Sequence, residues 1–298
     1  MTADLADKLS HMLKSGVAIS EAAYQKANAY SNIFNGIFRG QKLEFLIYLC
    51  RSANSDHVIT DVVYPKQTVS HAWVRADNDW SNIYAAGLIP ISIFHSHNTI
   101  GAFQSPVDLE TLAGFVQVVA HNNYIPIYDE KYLGNAVLEK QQSRDRAAKD
   151  VFIHTKINAK SINVITYMHD TETEDDIQRF YGLMQRSSIK YIINYISFGY
   201  SIVVDDYKKM AFALRLQYRC RSCGLSKLPD EVVSVLQPIV ATLHNPSYNR
   251  KCEFDYAQGS LLLQTSDSNI LKRVNTRNAA AIDYEKMRQE IISNTEVI

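Results

Sequence analysis

Four residues in a short stretch of the chain have the types and spacing of a catalytic metal site. His95 and His97 are separated by one residue, and after seven more residues come Ser105 and, three positions later, Asp108. Two imidazoles and a carboxylate can bind one metal ion, and a nearby hydroxyl can stabilise a developing negative charge. Three protein ligands with an open fourth position are typical of catalytic zinc sites. The pattern therefore predicts metal-dependent chemistry.

A strand must carry the two histidines. Residues 88–94 are almost all apolar, which predicts a buried strand that runs directly into the motif. Side chains two positions apart on a strand lie on the same face. His95 and His97 would therefore converge on one ion, while Ser96 would point to the opposite face.

A helix must carry the carboxylate. Ser105, Pro106 and Asp108 occur in the order of an N-cap, a first-turn proline and a capping-box acid, which predicts a helix over 106–121. Taken alone, a Ser-x-x-Asp segment is usually only a helix cap, and a histidine pair is usually an ordinary structural feature. The four residues together favour a functional site.

The four-residue motif resembles that of the JAMM (JAB1/MPN+) metalloprotease family. The resemblance implies a zinc isopeptidase with an α/β fold, in which a curved mixed sheet is flanked by helices. It also implies that His95, His97 and Asp108 bind zinc and that Ser105 supports the oxyanion. Proline often follows the second histidine in that family, whereas this chain has Asn98. The resemblance covers about the first half of the chain.

The resemblance also implies an upstream glutamate that acts as general base, and Glu44 is the best candidate. It lies in the largely apolar segment 42–50, which predicts a buried strand. A buried carboxylate is costly without a partner, and a metal-bound water would provide one. Burial would also raise its pKa toward that of an effective base. The glycines that usually follow this residue in the family are absent. A surface position for Glu44, with Glu21 or Asp61 as the base, is the alternative.

The resemblance implies a protein substrate, from which ubiquitin-like proteins are removed by cleavage of isopeptide or peptide bonds. Two alternatives stay open. One is a peptidase or small-amide hydrolase with the same zinc site, because flanking loops rather than the motif choose the substrate. The other is a latent or non-catalytic scaffold of the same fold, although the presence of every ligand argues against a scaffold.

The composition is that of a globular protein. Of the 298 residues 46% are hydrophobic, and 31 basic and 31 acidic residues give a net charge of zero, which favours neither nucleic acid nor another polyanion as partner. No apolar run reaches the ~18 residues of a membrane span, and the first residues lack the features of a secretory signal. The 4 cysteines do not suggest a disulfide framework, so a cytoplasmic location is expected.

The sequence patterns predict two domains. A JAMM/MPN-like zinc hydrolase domain is expected over 1–168 and a second, α+β domain over 169–298. In the second domain, two strands over 190–200 and 201–204 are expected to meet at a turn near Gly199. The predicted helices are 20–40, 77–86, 106–121, 172–184, 207–219, 230–244 and 279–292.

A cysteine pair offers a second candidate metal site. Cys220 and Cys223 have the Cys-x-x-Cys spacing, and His244 and Cys252 could complete a second zinc site. The irregular spacing of the last two residues favours ordinary reduced cysteines instead.

Overall fold

The protein is built from helices and several β-sheets, which confirms the α/β class. In this computed structural model the described residues are 3–52, 58–77, 80–97, 101–126, 131–132, 137–142, 150–157, 160–167, 190–191, 194–206, 208–220, 230–243, 250–255, 258–267, 270–275 and 282–298.

Helices occur before, between and after the strands. The described helices are α1 (Ala3–Ser15), α2 (Glu21–Ile37), α3 (Ser81–Ala85), α4 (Pro106–Val118, continued by a 3-10 turn over Val119–His121), α5 (Asp230–Leu243) and α6 (Tyr284–Asn294). Within the described part of the chain, none of these helices combines the length and hydropathy needed to cross a membrane.

Most of the described strands are short. They are β1 (Val17–Ser20), β2 (Leu46–Ser52), β3 (Val58–Ile59), β4 (Asp61–Val63), β5 (Gln67–Val69), β6 (Val74–Ala76), β7 (Leu88–His97), β8 (Tyr124–Pro126), β9 (Lys131–Tyr132), β10 (Val137–Gln142), β11 (Asp150–Ile157), β12 (Lys160–Tyr167), β13 (Lys190–Tyr191), β14 (Asn194–Asp205), β15 (Met210–Cys220), β16 (Lys251–Asp255), β17 (Ser260–Thr265), β18 (Leu271–Val274) and β19 (Thr295–Val297).

The chain divides into two compact units, Met1–Ile127 with Asn194–Ile298, and Tyr128–Ile193. The second unit contains the antiparallel sheet β10-β11-β12 and the strand pair β9-β13. The domain boundary predicted near residue 168 lies outside the described residues. In the first unit, β14 is hydrogen-bonded to β7, the strand that carries the two histidines. Residues from the later part of the chain therefore belong to the sheet on which the histidines lie.

The main sheet places the histidine strand in its interior. Its order is β16-β17-β15-β14-β7-β2-β4, and β8 also pairs with β14. Strand β7 runs parallel to β14 and antiparallel to β2, and His95 lies opposite Val203 on one side and Leu46 on the other. Because both edges of β7 are hydrogen-bonded, its backbone is held in place on each side of the site.

Alternate residues of β2 and β7 pack on opposite faces of the sheet. Ile47 and Leu49 belong to a hydrophobic cluster with residues of α1, α2, α5 and α6, and we call this side the α2 face. Leu46, Tyr48 and Ile93 belong to a second cluster with residues of α3 and α4, and we call this side the α4 face. A strand covered on both faces is expected to be largely apolar, as residues 46–50 of β2 and 88–94 of β7 are.

The predicted turn at Gly199 is wrong, because residues 194–205 form one continuous strand, β14. Gly199 lies in its middle, where an added Cβ would approach side-chain atoms of Phe115 and Val116 to 2.9 Å. The absence of a side chain therefore lets α4 pack closely against β14. This glycine serves the packing of the helix that carries Asp108 rather than a reversal of the chain.

The helix predicted over 207–219 is also wrong, because Met210–Cys220 forms strand β15. Phe212, Leu214, Leu216 and Tyr218 are buried in the α2-face cluster, so the apolar residues follow the two-residue period of a strand. The strand pairs with β14 on one side and β17 on the other. Long-range hydrogen bonding therefore decides an apolar pattern that locally also fits a helix.

The other helix predictions have mixed outcomes. The helices expected over 20–40, 77–86, 230–244 and 279–292 are found as α2, α3, α5 and α6, with the bounds given above. The helix predicted over 172–184 lies outside the described residues.

Candidate metal centre

The two histidines lie at the end of β7 and are almost fully buried. Their exposed fractions are 5% for His95 and 4% for His97. Ser96 points away from them, as predicted, and its Oγ accepts a hydrogen bond from the backbone N–H of Phe45 at 3.0 Å. The alternation of the strand therefore presents both imidazoles on the α4 face.

The start of α4 has the predicted capping box. The Ser105 Oγ accepts a hydrogen bond from the Asp108 N–H at 3.2 Å, and the Asp108 Oδ2 accepts one from the Ser105 N–H at 2.7 Å. Pro106 occupies the first helical position. These reciprocal bonds fix the orientation of the Asp108 carboxylate relative to the helix axis.

The histidines and the aspartate converge on one point. The Nε2 atoms of His95 and His97 are 3.2 Å apart. Asp108 lies across from both, with Oδ1 at 3.1 Å from the first nitrogen and Oδ2 at 3.4 Å from the second. Potential ligand atoms of the three residues all lie within 4.8 Å of one another. This group could hold a metal ion.

The carbonyl of Gly101 orients one imidazole. It lies 3.3 Å from Nδ1 of His97, which leaves Nε2 facing Asp108. A backbone carbonyl that binds one ring nitrogen of a histidine sets the tautomer in which the other nitrogen can bind a metal. The ring of Phe103 packs edge-on against His97, with centroids 5.2 Å apart.

The neighbouring imidazoles keep the Asp108 carboxyl group ionised, as a metal ligand must be. Burial alone would raise the pKa of its carboxyl group, but hydrogen bonds from His95 and His97 outweigh burial and hold the pKa well below its usual range. Burial opposes a charge on His97 as well, yet Asp108 and Glu44 raise the pKa of this imidazole. Metal binding would therefore displace protons that the cluster otherwise shares.

Glu44 lies opposite His97, directly before β2. The pairing of Leu46 with His95 in antiparallel strands, and the bond from the Ser96 N–H to the Phe45 carbonyl, extend the register by two residues. Glu44 is 5% exposed. Burial, with a contribution from Asp108 that His97 opposes, raises its pKa from 4.5 to about 7. A surface position for this carboxylate is therefore excluded.

The alternative acids have other partners. The Asp61 carboxylate accepts a hydrogen bond from Lys26 at 2.7 Å, and that of Glu21 accepts one from Gln25 at 3.1 Å. Glu44, in contrast, is among the groups that raise the pKa of His97.

Gln67 supports the Glu44 side of the site, and the sequence carried no signal for it. Its side-chain oxygen accepts a hydrogen bond from the Leu46 N–H at 2.8 Å, and its amide donates to the Leu46 carbonyl at 3.0 Å. The side-chain amide thus makes with the Leu46 backbone the two hydrogen bonds that a neighbouring strand would make at the start of β2. A glutamine inside a β-strand predicts no such contact from sequence alone.

The second candidate metal site lies largely outside the described residues. Cys223 and His244 are outside them, and for Cys220 only the strand backbone is described. Cys252 is half-buried in β16, and burial, with Glu253 nearby, raises the pKa of its thiol to about 11. With Cys223 and His244 outside the described residues, the second zinc site stays a prediction.

Comparison of the chain with known protein families and with curated proteins finds no match.

Proposed function

We propose that the protein is a zinc-dependent hydrolase that cleaves isopeptide or peptide bonds and removes ubiquitin-like proteins from conjugates. The observation that carries the proposal is the convergence of His95, His97 and Asp108 beside the buried carboxyl group of Glu44. The resemblance of this motif to the JAMM family supports both the isopeptide bond and the JAMM/MPN-like fold.

Zinc is the metal that best fits this donor set. Ligands at zinc distances of 2.0–2.1 Å in tetrahedral directions lie about 3.3 Å from one another. The Nε2 atoms of His95 and His97 are 3.2 Å apart, and each faces a different oxygen of Asp108, at 3.1 Å for Oδ1 and 3.4 Å for Oδ2. Two imidazoles and one carboxylate also leave the fourth tetrahedral position for water or substrate, as catalytic zinc sites do.

Glu44 is suited to move a proton during hydrolysis. When bound, zinc would supply a Lewis acid and would lower the pKa of a coordinated water toward ~7. Burial raises the pKa of Glu44 from 4.5 to about 7, close to that of such a water, so its carboxylate would be able to accept a proton and return it to the leaving amine. Its position opposite His97 brings it to the metal ligands.

Ser105 can cap the helix and assist the reaction at the same time. Its Oγ acts as an acceptor toward the Asp108 N–H. A hydroxyl group also carries one donor hydrogen, which this bond does not use. The hydroxyl group also interacts with the Asp108 carboxylate and helps to lower its pKa, so this hydrogen would turn from the carboxylate to the oxyanion of a tetrahedral species while the helix cap stays in place.

A conjugate-cleavage assay tests the proposal directly. Wild-type protein should cleave a lysine-linked ubiquitin-like conjugate, lose that activity with a zinc chelator and recover it with added zinc. His97→Ala should lose both zinc and activity, whereas His71→Ala, at an exposed histidine in another loop, should lose neither. Turnover of short amides without cleavage of conjugates would instead support a small-amide hydrolase. Full cleavage by His97→Ala would overturn the assignment, and zinc-independent partner binding without turnover would support a scaffold.

A further inference from the structure

The loop between the second histidine and α4 makes two contacts that matter for metal binding. The Gly101 carbonyl orients His97, and Ser105 orients Asp108 through the capping box. One ligand belongs to the strand and the other to the helix, so the loop contributes, together with the packing of α4 on β14, to the position of one relative to the other. Whatever holds the loop therefore acts on the geometry of the metal ligands.

Gln104 attaches this loop to the sheet. Its Nε2 donates one hydrogen bond to the Ser201 carbonyl at 3.3 Å and another to the Ala211 carbonyl at 3.1 Å. Ser201 lies on β14, the parallel neighbour of β7, and Ala211 lies on β15. In the described part of the loop, residues 101–104, this is the side chain that joins the loop to the sheet by hydrogen bonds.

The energetics of this side chain point to a role in position rather than in stability. The Gln104 Oε1 is buried and has no hydrogen-bond partner among the described residues. The cost of an unpaired buried acceptor is of the same order as the gain from two neutral hydrogen bonds. A methionine of similar length would remove the unpaired acceptor but would also take this donor from the Ser201 and Ala211 carbonyls, so we expect a small net change in the stability of the fold.

We infer that Gln104 is a positioning residue for the metal centre, which holds the loop so that His97 and Asp108 meet at ligand distance. The inference rests on the proposed metal site and adds a residue that the sequence motif does not contain. The amide acts through the Gly101 carbonyl and the Ser105 cap and does not itself bind the ion. Residues that orient metal ligands in this way typically change metal affinity by about 10- to 100-fold when they are replaced.

Zinc affinity tests this role without relying on enzymatic activity. Gln104→Met should weaken zinc binding about 10- to 100-fold, measured by competition with a chromophoric chelator. It should also change the visible spectrum of the cobalt-substituted protein, which reports ligand geometry. Gln104→Glu removes the same donor with almost no change in size, and it should weaken zinc binding too, even if the methionine variant folds poorly.

Gln217→Met is the matched control. Gln217 also donates its amide to backbone carbonyls, those of Tyr218 and Gln258, but lies toward the other end of β15 from Ala211. This variant should keep the wild-type zinc affinity and cobalt spectrum, while zinc-free Gln104→Met and Gln217→Met should unfold at similar temperatures. Wild-type zinc affinity in both Gln104 variants would overturn the positioning role and leave the metal centre standing. A wild-type protein that binds no zinc would overturn both.

Discussion

The two faces of the central strands use burial in different ways. On the α2 face, Phe34 and Phe94 pack against Phe45, with ring centroids 4.9 and 6.4 Å away. On the α4 face, Glu44 and His97 are buried to a similar degree but are polar. Burial of apolar surface stabilises a fold, whereas burial of a polar group costs free energy unless it has partners. Apolar packing therefore stabilises the sheet, which can then hold the buried polar groups of the α4 face despite their cost.

Glu44→Gln should have the largest effect on the α4 face. The substitution keeps the size of the side chain but removes its ability to accept a proton. We expect turnover to fall about 100- to 10,000-fold with the zinc content unchanged, measured by conjugate cleavage and metal analysis. Glu21→Gln is the control and should stay fully active, because this carboxylate accepts a hydrogen bond from Gln25 and lies 3.9 Å from Arg273, away from the metal ligands. Wild-type turnover by Glu44→Gln would exclude the general-base role.

Phe34→Ala, on the α2 face, should lower stability and leave catalysis unchanged, which is the reverse of the effect expected for Glu44→Gln. Phe34 is fully buried, and its removal leaves a cavity against Phe38 and Phe45. We expect the free energy of unfolding to fall by about 3–5 kcal/mol in denaturant titrations. Zinc content and turnover per folded molecule should stay at the wild-type level. A parallel loss of zinc affinity would show that the two faces are not independent.

The zinc-free protein should show a pH dependence that comes from the α4 face. Because burial raises the pKa of Glu44 from 4.5 to about 7, folding favours the protonated acid. Its contribution to stability is complete below pH 4.5 and is lost as the pH rises through about 7. Relative to Glu44→Gln, the wild-type protein should lose up to about 3 kcal/mol of unfolding free energy over this range.

Denaturant titrations of both zinc-free proteins at about pH 5 and about pH 8 would measure this difference. The comparison with Glu44→Gln removes, to a first approximation, the titration of His97 and Asp108, which both proteins share. A difference between the two proteins that does not change with pH would contradict the raised pKa of Glu44.

Ser105 substitutions should separate helix capping from catalysis, with the smallest effects. Ser105→Ala should lower turnover about 100-fold and the free energy of unfolding by about 1 kcal/mol. Ser105→Asn keeps a good N-cap without a hydroxyl group, so it should lose turnover but little stability. Ser20→Ala removes the cap of α2, where the hydroxyl accepts from the Ala23 N–H, and should change stability alone. Full activity of Ser105→Ala would rule out a role in the reaction.

The predictions for the two segments of the metal-binding motif, which depend on residues within a few positions of each other, agree with the structure. The shared face of His95 and His97 follows from strand alternation, and the capping box of Ser105 and Asp108 follows from the geometry of a helix start. The strand at 210–220 could not be predicted in this way. Its apolar residues allow a helix or a strand, and hydrogen bonds to β14 and β17 decide between them.

The sequence by itself determined which residues could bind a metal ion and which local element presents each of them. Only the tertiary structure brought Glu44 opposite His97, through the pairing of β2 with β7, and let α4 approach β14 at Gly199. It also placed Gln104 against carbonyl groups about 100 residues away in the chain. The physical reason is the separation along the chain of the residues that decide each property. Backbone conformation and caps depend on neighbouring residues, whereas ligand distances, burial and pKa depend on segments that meet only after folding.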